Sequence, residues 1–231
     1  KKVLVTDYVW PSVEPEREVL RAVGVELIVA PDGHEDTLIP LVLDVDGILT
    51  CFAKVSEQVV RAAKNCVVIG RFGVGVDNID VETATELGIA VTYVPDYCVE
   101  EVSDHVLAML LGWNRRILAL DQSVRNAGWG SLPLTMRIMR LRGKTLGIVG
   151  FGRIGRSVAA KAKAFGMRII YYDPYVDQQS VEDDGFRQVD FEYLIKESEF
   201  ISLHAPSTPD NSGMIGKDEF TAMKSEAFLI N

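Results

Sequence analysis

The chain has few cysteines, no excess of basic residues and no long apolar run. Its 231 residues include three cysteines, Cys51, Cys66 and Cys98, which are odd in number and lack the spacing of metal ligands. They indicate reduced thiols in a cytoplasmic protein, and we expect no bound metal. The net charge of −9 disfavours nucleic acid and anionic membranes as partners. No apolar segment approaches the length of a membrane span.

Short β-branched runs alternate with helical patterns from the N-terminus onward. The first run, residues 2–6, stops at Asp7 and predicts a strand rather than a signal peptide. Four more predicted strands and four predicted helices follow before residue 98, in the rhythm of a parallel α/β domain. We therefore predict a first domain over residues 1–98.

A Val-, Leu-, Ala- and Met-rich pattern from Val99 to about Asn126 predicts one long helix, longer than the ~8 to 20 residues of most globular helices. Its predicted buried face consists of four residues at helical spacing: Met109, Leu110, Trp113 and Ile117. Alternation of strands and helices then resumes near Gly143. We predict a second domain over residues 99–231.

A glycine-rich run, GFGRIG at residues 150–155, follows a predicted strand and precedes an Ala-rich helical stretch. Gly150 permits a tight turn, Gly152 lets the backbone approach phosphates, and Gly155 allows close packing of helix on strand. The N-terminus of the following helix directs N–H groups and a positive dipole at one point, where a pyrophosphate can bind. The glycine pattern alone is also typical of an ordinary turn.

Asp173 adds the feature that distinguishes this run from an ordinary turn. It lies 18 residues after Gly155, at the end of the next predicted strand, where a carboxylate accepts hydrogen bonds from a ribose 2′-hydroxyl and repels a 2′-phosphate. The combination predicts binding of NAD rather than NADP. Ile154 is a candidate backbone donor to the pyrophosphate. Arg153 is a second candidate contact, or a solvated residue at the start of the helix.

Four blocks, in order along the chain, resemble the D-isomer-specific 2-hydroxyacid dehydrogenase family. They are RFGVGVDNID at 71–80, VPDYCVEE at 94–101, LGIVGFGRIG at 146–155 and LHAPSTP at 203–209. The family includes D-3-phosphoglycerate dehydrogenase and the C-terminal-binding-protein corepressors, and the second block is most similar to bacterial relatives of those corepressors. The resemblance implies an α/β protein with a flavodoxin-like substrate domain and a Rossmann NAD-binding domain, incomplete at the C-terminus.

The resemblance implies an NAD-dependent oxidoreductase that interconverts a small D-2-hydroxy acid and its 2-keto acid by hydride transfer, and a homodimer formed through the region of the predicted long helix. In the family the catalytic Arg, Glu and His come after the position of Asn231, so we expect no catalytic residue within residues 1–231. We therefore interpret the chain as a fragment that is inactive by itself. Two alternatives stay open: an NAD(H)-sensing, corepressor-like binding protein, and a formate or phosphite dehydrogenase on the same scaffold.

The resemblance also assigns a role to the loop that follows the fourth predicted strand. It implies that the backbone N–H groups of Gly73, Val74 and Gly75 bind the substrate carboxylate, which such bare donors can do without side-chain charge. From the residues alone, the loop is more simply a tight turn capped by Asp77 and Asn78.

A second loop, after the strand predicted at 200–204, is expected to close over the cofactor. The resemblance implies backbone contacts from Ala205 and Pro206 and a side-chain contact from Thr208. His204 ends the strand at the edge of the sheet where ligands bind, so we expect it near the cofactor. Since the family assigns the general acid to a later residue, we do not expect His204 to be the catalyst.

Overall fold

The computed structural model describes residues 1–129, 138–176 and 185–231. The chain divides into two compact units, Lys1–Tyr97 and Cys98–Asn231. Each unit contains one sheet of five strands in which every strand pair is parallel. The predicted α/β architecture with two parallel sheets is confirmed.

The first unit alternates strands and helices throughout. Its strands are β1 Lys2–Val5, β2 Glu26–Val29, β3 Gly47–Thr50, β4 Val68–Arg71 and β5 Ala90–Thr92. Its helices are α1 Glu14–Ala22, α2 Glu35–Val42, α3 Glu57–Ala62 and α4 Val81–Glu86. The sheet order is β2-β1-β3-β4-β5, the flavodoxin-like order. Leu4, Ile48 and Ile69 on the three central strands are buried, as parallel strands covered by crossover helices are.

Two helices of this unit begin at residues whose side chains cap them. The Ser56 side chain accepts a hydrogen bond from the N–H of Val59 at the start of α3. The Asp80 carboxylate accepts one from the N–H of Thr83 at 2.8 Å at the start of α4. Such caps satisfy N–H groups that have no partner inside the helix. Asp80 therefore marks where the loop after β4 ends.

The second unit has the order β10-β9-β6-β7-β8, which matches the first five strands of the doubly wound dinucleotide-binding fold. Its strands are β6 Thr145–Val149, β7 Arg168–Tyr172, β8 Arg187–Gln188, β9 Phe200–Leu203 and β10 Phe228–Ile230. Its helices are α5 Val99–Asn114, α6 Ile117–Ala127, α7 Arg153–Ala164, α8 Phe191–Glu197 and α9 Lys217–Ala222. Every residue of the central strand β6 is buried. The sequence did not predict β8, because two residues carry no periodic signal.

The prediction of one long helix after Val99 was wrong, because the chain forms two helices, α5 and α6. Arg116, the residue before α6, adopts a left-handed conformation with φ 55°, which a continuous helix excludes. Its guanidinium carbon lies 4.5 Å from the centre of the Trp113 ring. The predicted apolar face is correspondingly divided: Trp113 packs against the core from α5, whereas Ile117 on α6 is 54% exposed.

Within the described ranges, no helix combines the length and apolar character that a membrane crossing requires. The same ranges contain no group of three or more His, Cys, Asp or Glu side chains placed to bind a metal ion. Cys51, Cys66 and Cys98 form no disulfide, and the first two are buried.

Candidate functional site

A cavity of about 550 Å³ lies at the carboxyl ends of β6, β7 and β9. Because β7 and β9 flank β6 on opposite sides, this is the point at which the strand order reverses and where doubly wound sheets bind ligands. Seven of the predicted cofactor residues line it: Gly150, Gly152, Asp173, His204, Ala205, Pro206 and Thr208. The other three, Arg153, Ile154 and Gly155, form the first turn of α7 beside it.

The three glycines have different surroundings. Gly150 has φ 87°, and a Cβ there would lie 2.5 Å from the backbone nitrogen of Ala205. A Cβ on Gly155 would lie 2.3 Å from the carbonyl oxygen of Gly150, whereas a Cβ on Gly152 would have no heavy atom within 4 Å. Gly150 and Gly155 are therefore required by packing. Gly152 is instead the position at which the backbone stands open to the cavity, as close approach of a pyrophosphate requires.

The N-terminus of α7 supplies hydrogen-bond donors next to this opening. Helix α7 has 12 residues, and its N-cap is Gly152, which provides no side-chain cap. The first N–H groups of a helix have no intrahelical acceptor, so those of Arg153 and Ile154 are available to an anion, and the helix dipole favours negative charge there. The Arg153 side chain is exposed. These donors fit the pyrophosphate of a dinucleotide.

Asp173 is held at the edge of the same cavity by two backbone donors. Its Oδ2 accepts a hydrogen bond from the N–H of Phe151 at 2.8 Å, and its Oδ1 accepts one from the N–H of Tyr175 at 2.9 Å. A carboxylate oxygen can accept more than one hydrogen bond. The carboxylate thus keeps acceptor capacity for a ribose hydroxyl while its orientation is fixed.

His204 forms part of the wall of two neighbouring cavities. It lines the cavity already described and a second one of about 360 Å³, which also includes residues of α5 and β10. Burial lowers the pKa of His204 to about 4, and its Nε2 lies 2.8 Å from the hydroxyl of the buried Ser202. The imidazole is therefore neutral near pH 7, which suits a residue that shapes a binding site better than a proton donor.

Asn211 fixes the loop that follows His204 and was not predicted. Its Oδ1 accepts a hydrogen bond from the N–H of Thr208 at 2.9 Å, and its Nδ2 donates to the carbonyl oxygen of Pro206 at 2.6 Å. Both atoms therefore join the ends of one short turn. The sequence signal for this role was the Thr-Pro-Asp-Asn pattern of residues 208–211, which is typical of a capped turn.

In the first unit, the Gly73–Gly75 loop follows β4. Gly73 is buried, and its carbonyl oxygen accepts a hydrogen bond from the N–H of Val94 at 3.0 Å. Val74 and Gly75 are exposed. A Cβ on Gly73 would lie 1.9 Å from Nη1 of Arg71, so this glycine leaves space for a guanidinium group.

Arg71, the first residue of the RFGVGVDNID block, is a candidate site residue for which the sequence predicted no role. It is the last residue of β4 and is half-buried, and its Nε donates to Oδ1 of Asn78 at 3.1 Å. Its Cζ lies 5.6 Å from the centre of the Phe52 ring. Among the described residues it forms no ion pair. The available signal was a cation that ends an apolar strand immediately before a glycine loop.

Comparison with known proteins adds independent information on both units. The family model "D-isomer specific 2-hydroxyacid dehydrogenase, NAD binding domain" matches residues 107–231. Glyoxylate reductase of Thermococcus litoralis is 44% identical over 200 residues, which cover 84% of this chain and 60% of that protein. D-3-phosphoglycerate dehydrogenase of Methanocaldococcus jannaschii is 39% identical over 232 residues, which cover 100% of this chain and 43% of that protein. The chain thus spans about half the length of these curated relatives.

Solved structures show the same similarity over the whole chain. D-lactate dehydrogenase from Aquifex aeolicus, complexed with NAD and lactic acid, superposes with a TM-score of 0.89 at 27% identity, covering 100% of this chain and 68% of that chain. A glyoxylate reductase from Paecilomyes thermophila superposes with a TM-score of 0.88 at 29% identity, covering 99% of this chain and 72% of that chain.

Proposed function

The chain belongs to the D-isomer-specific 2-hydroxyacid dehydrogenase family, whose NAD-binding domain its residues 107–231 match. From this we propose that the whole protein is an NAD-dependent oxidoreductase that interconverts a small D-2-hydroxy acid and its 2-keto acid. The observation that carries the proposal is the cavity at the strand-order reversal of the second sheet. It combines a glycine turn, an uncapped helix N-terminus and an oriented carboxylate. When bound, NAD supplies hydride transfer at its nicotinamide ring.

Each part of the cavity has a distinct binding role in this proposal. The N–H groups of Arg153 and Ile154 bind the pyrophosphate, and Gly152 lets the backbone approach it. Asp173 accepts hydrogen bonds from the adenosine ribose and disfavours a 2′-phosphate. The predicted contacts from the loop after β9 complete the site, with neutral His204 shaping its wall.

The first unit binds the substrate in this proposal. The backbone N–H groups of the Gly73–Gly75 loop bind the carboxylate, as the family resemblance implies. Arg71 adds a positive charge beside this loop. Since it forms no ion pair with a carboxylate of the described residues, it can attract an anionic group of the substrate. The two relatives are named for the acids glyoxylate and phosphoglycerate. Phosphoglycerate carries a phosphate as a second anionic group. Arg71 can bind the carboxylate or the phosphate of such an acid.

The test is a turnover assay of the full-length protein. NADH oxidation is followed with glyoxylate, pyruvate, hydroxypyruvate and phosphohydroxypyruvate, and NAD⁺ reduction with formate and phosphite. Turnover of a 2-keto acid is the expected result. NADH binding without turnover of any acid would instead favour the NAD(H)-sensing alternative. Oxidation of formate or phosphite would favour the alternative of a formate or phosphite dehydrogenase.

We include a homodimer and a cytoplasmic location in this proposal. Helix α6 contributes no buried residue, and Ile117, Leu118 and Val124 on it are 54%, 78% and 45% exposed, which supports a partner surface on this helix. The three unpaired cysteines support a reducing compartment. Light scattering of the full-length protein, with and without Leu118→Glu, tests the dimer. A wild-type mass of one chain, or a dimer unaffected by Leu118→Glu, would contradict this role of α6.

A further inference from the structure

Asn78 connects three segments at the carboxyl edge of the first sheet. Its Nδ2 donates to the carbonyl oxygens of Ala53 at 2.9 Å and Cys51 at 3.4 Å. Its Oδ1 accepts the hydrogen bond from Nε of Arg71 at 3.1 Å, and its main-chain oxygen accepts one from the N–H of Val55 at 2.8 Å. A single side chain thus joins the turn after β3, the end of β4 and the glycine loop.

Asp7 holds the same turn through its backbone N–H groups. Its Oδ1 accepts a hydrogen bond from the N–H of Cys51 at 2.9 Å, and its Oδ2 accepts one from the N–H of Phe52 at 2.7 Å. Burial alone would raise the pKa of Asp7, but these donors hold it below its usual value. The turn is therefore fixed, and its carbonyl groups present a constant pair of acceptors to Asn78.

These acceptors determine the orientation of the Asn78 amide. A flipped amide would place its oxygen against the carbonyl oxygens of Cys51 and Ala53, and its NH₂ group against a donor of Arg71. Both contacts would be repulsive. The turn after β3 therefore sets the position of the oxygen that receives Nε of Arg71.

The bond to Asn78 uses only one of the three nitrogens of the Arg71 guanidinium. Nη1 and Nη2 form no hydrogen bond or ion pair with any residue in the described ranges. The group is also confined on two sides, by the Phe52 ring and by Gly73, which has no Cβ. Two parallel N–H groups in a fixed plane match a carboxylate or phosphate bidentately.

We infer that Asn78 is a positioning residue for substrate recognition: it orients Arg71 through Nε so that the two Nη groups bind an anionic group of the substrate. The inference rests on the proposed 2-keto acid activity. It assigns Asn78 a role that differs from the turn cap expected from the sequence. The substrate class is an acid whose carboxylate or phosphate reaches Arg71.

The test is a double-mutant cycle in the full-length protein with the best 2-keto acid from the panel. Asn78→Ala is expected to raise KM about tenfold, as for loss of an interaction with a charged group, with kcat within about twofold of wild type. In the Arg71→Ala background the same substitution is expected to change KM little, since its effect passes through Arg71. Asn65→Ala removes an exposed asparagine of the same unit and serves as the control.

Arg71→Lys provides a second variant should Asn78→Ala fail to fold. Lysine keeps the charge but has no Nε–H held by Asn78 and no planar fork, so KM is expected to rise as in Asn78→Ala. An unchanged KM in Arg71→Lys, or an equal effect of Asn78→Ala with and without Arg71, would overturn the inference while the enzyme still turns over its acid. Absence of turnover by the wild type would overturn the proposed function and the inference together.

Discussion

The backbone N–H of Phe151 donates to Oδ2 of Asp173 at 2.8 Å, so the carboxylate expected to select the cofactor also fixes the glycine turn that faces the pyrophosphate. Phe151 is itself buried, and its ring stacks on that of Tyr171 with centroids 3.9 Å apart. The two recognition elements of the site are therefore joined by one hydrogen bond. A change at Asp173 affects both of them.

Asp173→Asn is expected to reduce the preference for NADH over NADPH at least tenfold. The amide keeps an acceptor for Phe151 but removes the negative charge that repels a 2′-phosphate. Fluorescence titration with both cofactors measures the ratio of the two Kd values. Asp190→Asn is the matched control, because Asp190 caps α8 by accepting from the N–H of Tyr193 at 2.7 Å and does not line the cavity. An unchanged ratio in Asp173→Asn would argue against the predicted selectivity role.

Gly150→Ala is expected to lower stability, whereas Gly152→Ala is expected to lower NADH affinity. The first places a Cβ 2.5 Å from the Ala205 nitrogen at positive φ and should lower the free energy of unfolding by about 2 kcal/mol or more. The second has open space around the new methyl group, so stability should stay near wild type while NADH affinity falls. Urea unfolding and cofactor titration separate the two effects. Normal NADH binding by Gly152→Ala would exclude close approach of phosphate at this position.

The half-buried His204 is expected to make the protein sensitive to mild acid. Burial lowers its pKa from 6.5 to about 4, so as pH falls from 6.5 towards 4 the unfolded chain binds a proton that the folded chain does not. Its contribution to stability is complete above pH 6.5 and is lost over this interval, by about 3 kcal/mol. Urea unfolding at a series of pH values should show this loss in the wild type and a smaller one in His204→Gln. His105→Gln, which removes an exposed histidine, should retain the wild-type slope.

The Arg116→Gly variant is expected to be more stable than the Arg116→Ala variant. Its φ of 55° costs roughly 1–2 kcal/mol for any residue with a Cβ, and glycine avoids this cost. Both substitutions remove the contact with the Trp113 ring, worth about 0.5–1 kcal/mol. Thermal unfolding of the two variants isolates the backbone term, with Arg116→Gly expected to melt higher. Equal melting temperatures would show that the left-handed conformation at residue 116 does not destabilise the protein when the residue has a Cβ.

The sequence predicted those features that depend on local patterns. Strand β6, the glycine run and Asp173 follow one another in a fixed order, so the position of the cofactor site could be inferred from them. The break at Arg116 could not, because no proline or glycine marks it and the apolar spacing from Trp113 to Ile117 continues through it. There the conformation of one residue overrides helix propensity.

The long-range side-chain contacts could not be predicted from the sequence either. Asn78 was expected to cap its own turn, but its amide binds Ala53 and Arg71, which lie on other segments of the sheet edge. Such contacts depend on the order in which strands assemble, and a single sequence carries no direct signal for that order. The role expected for the Gly73–Gly75 loop came from family resemblance and stays a prediction.

The strand order of the second sheet constrains how that unit can fold while it is being synthesised. The central strand β6 ends at Val149, but its neighbour β9 begins only at Phe200. While the intervening segment is being translated, one edge of this fully buried strand has no native partner, and pairing must wait for a distant contact. Helix α7 follows β6 at once and packs on β6 and β7. Helix α7 covers one face of β6, so this contact can form before the residues of β9, which pair with its edge, have been synthesised.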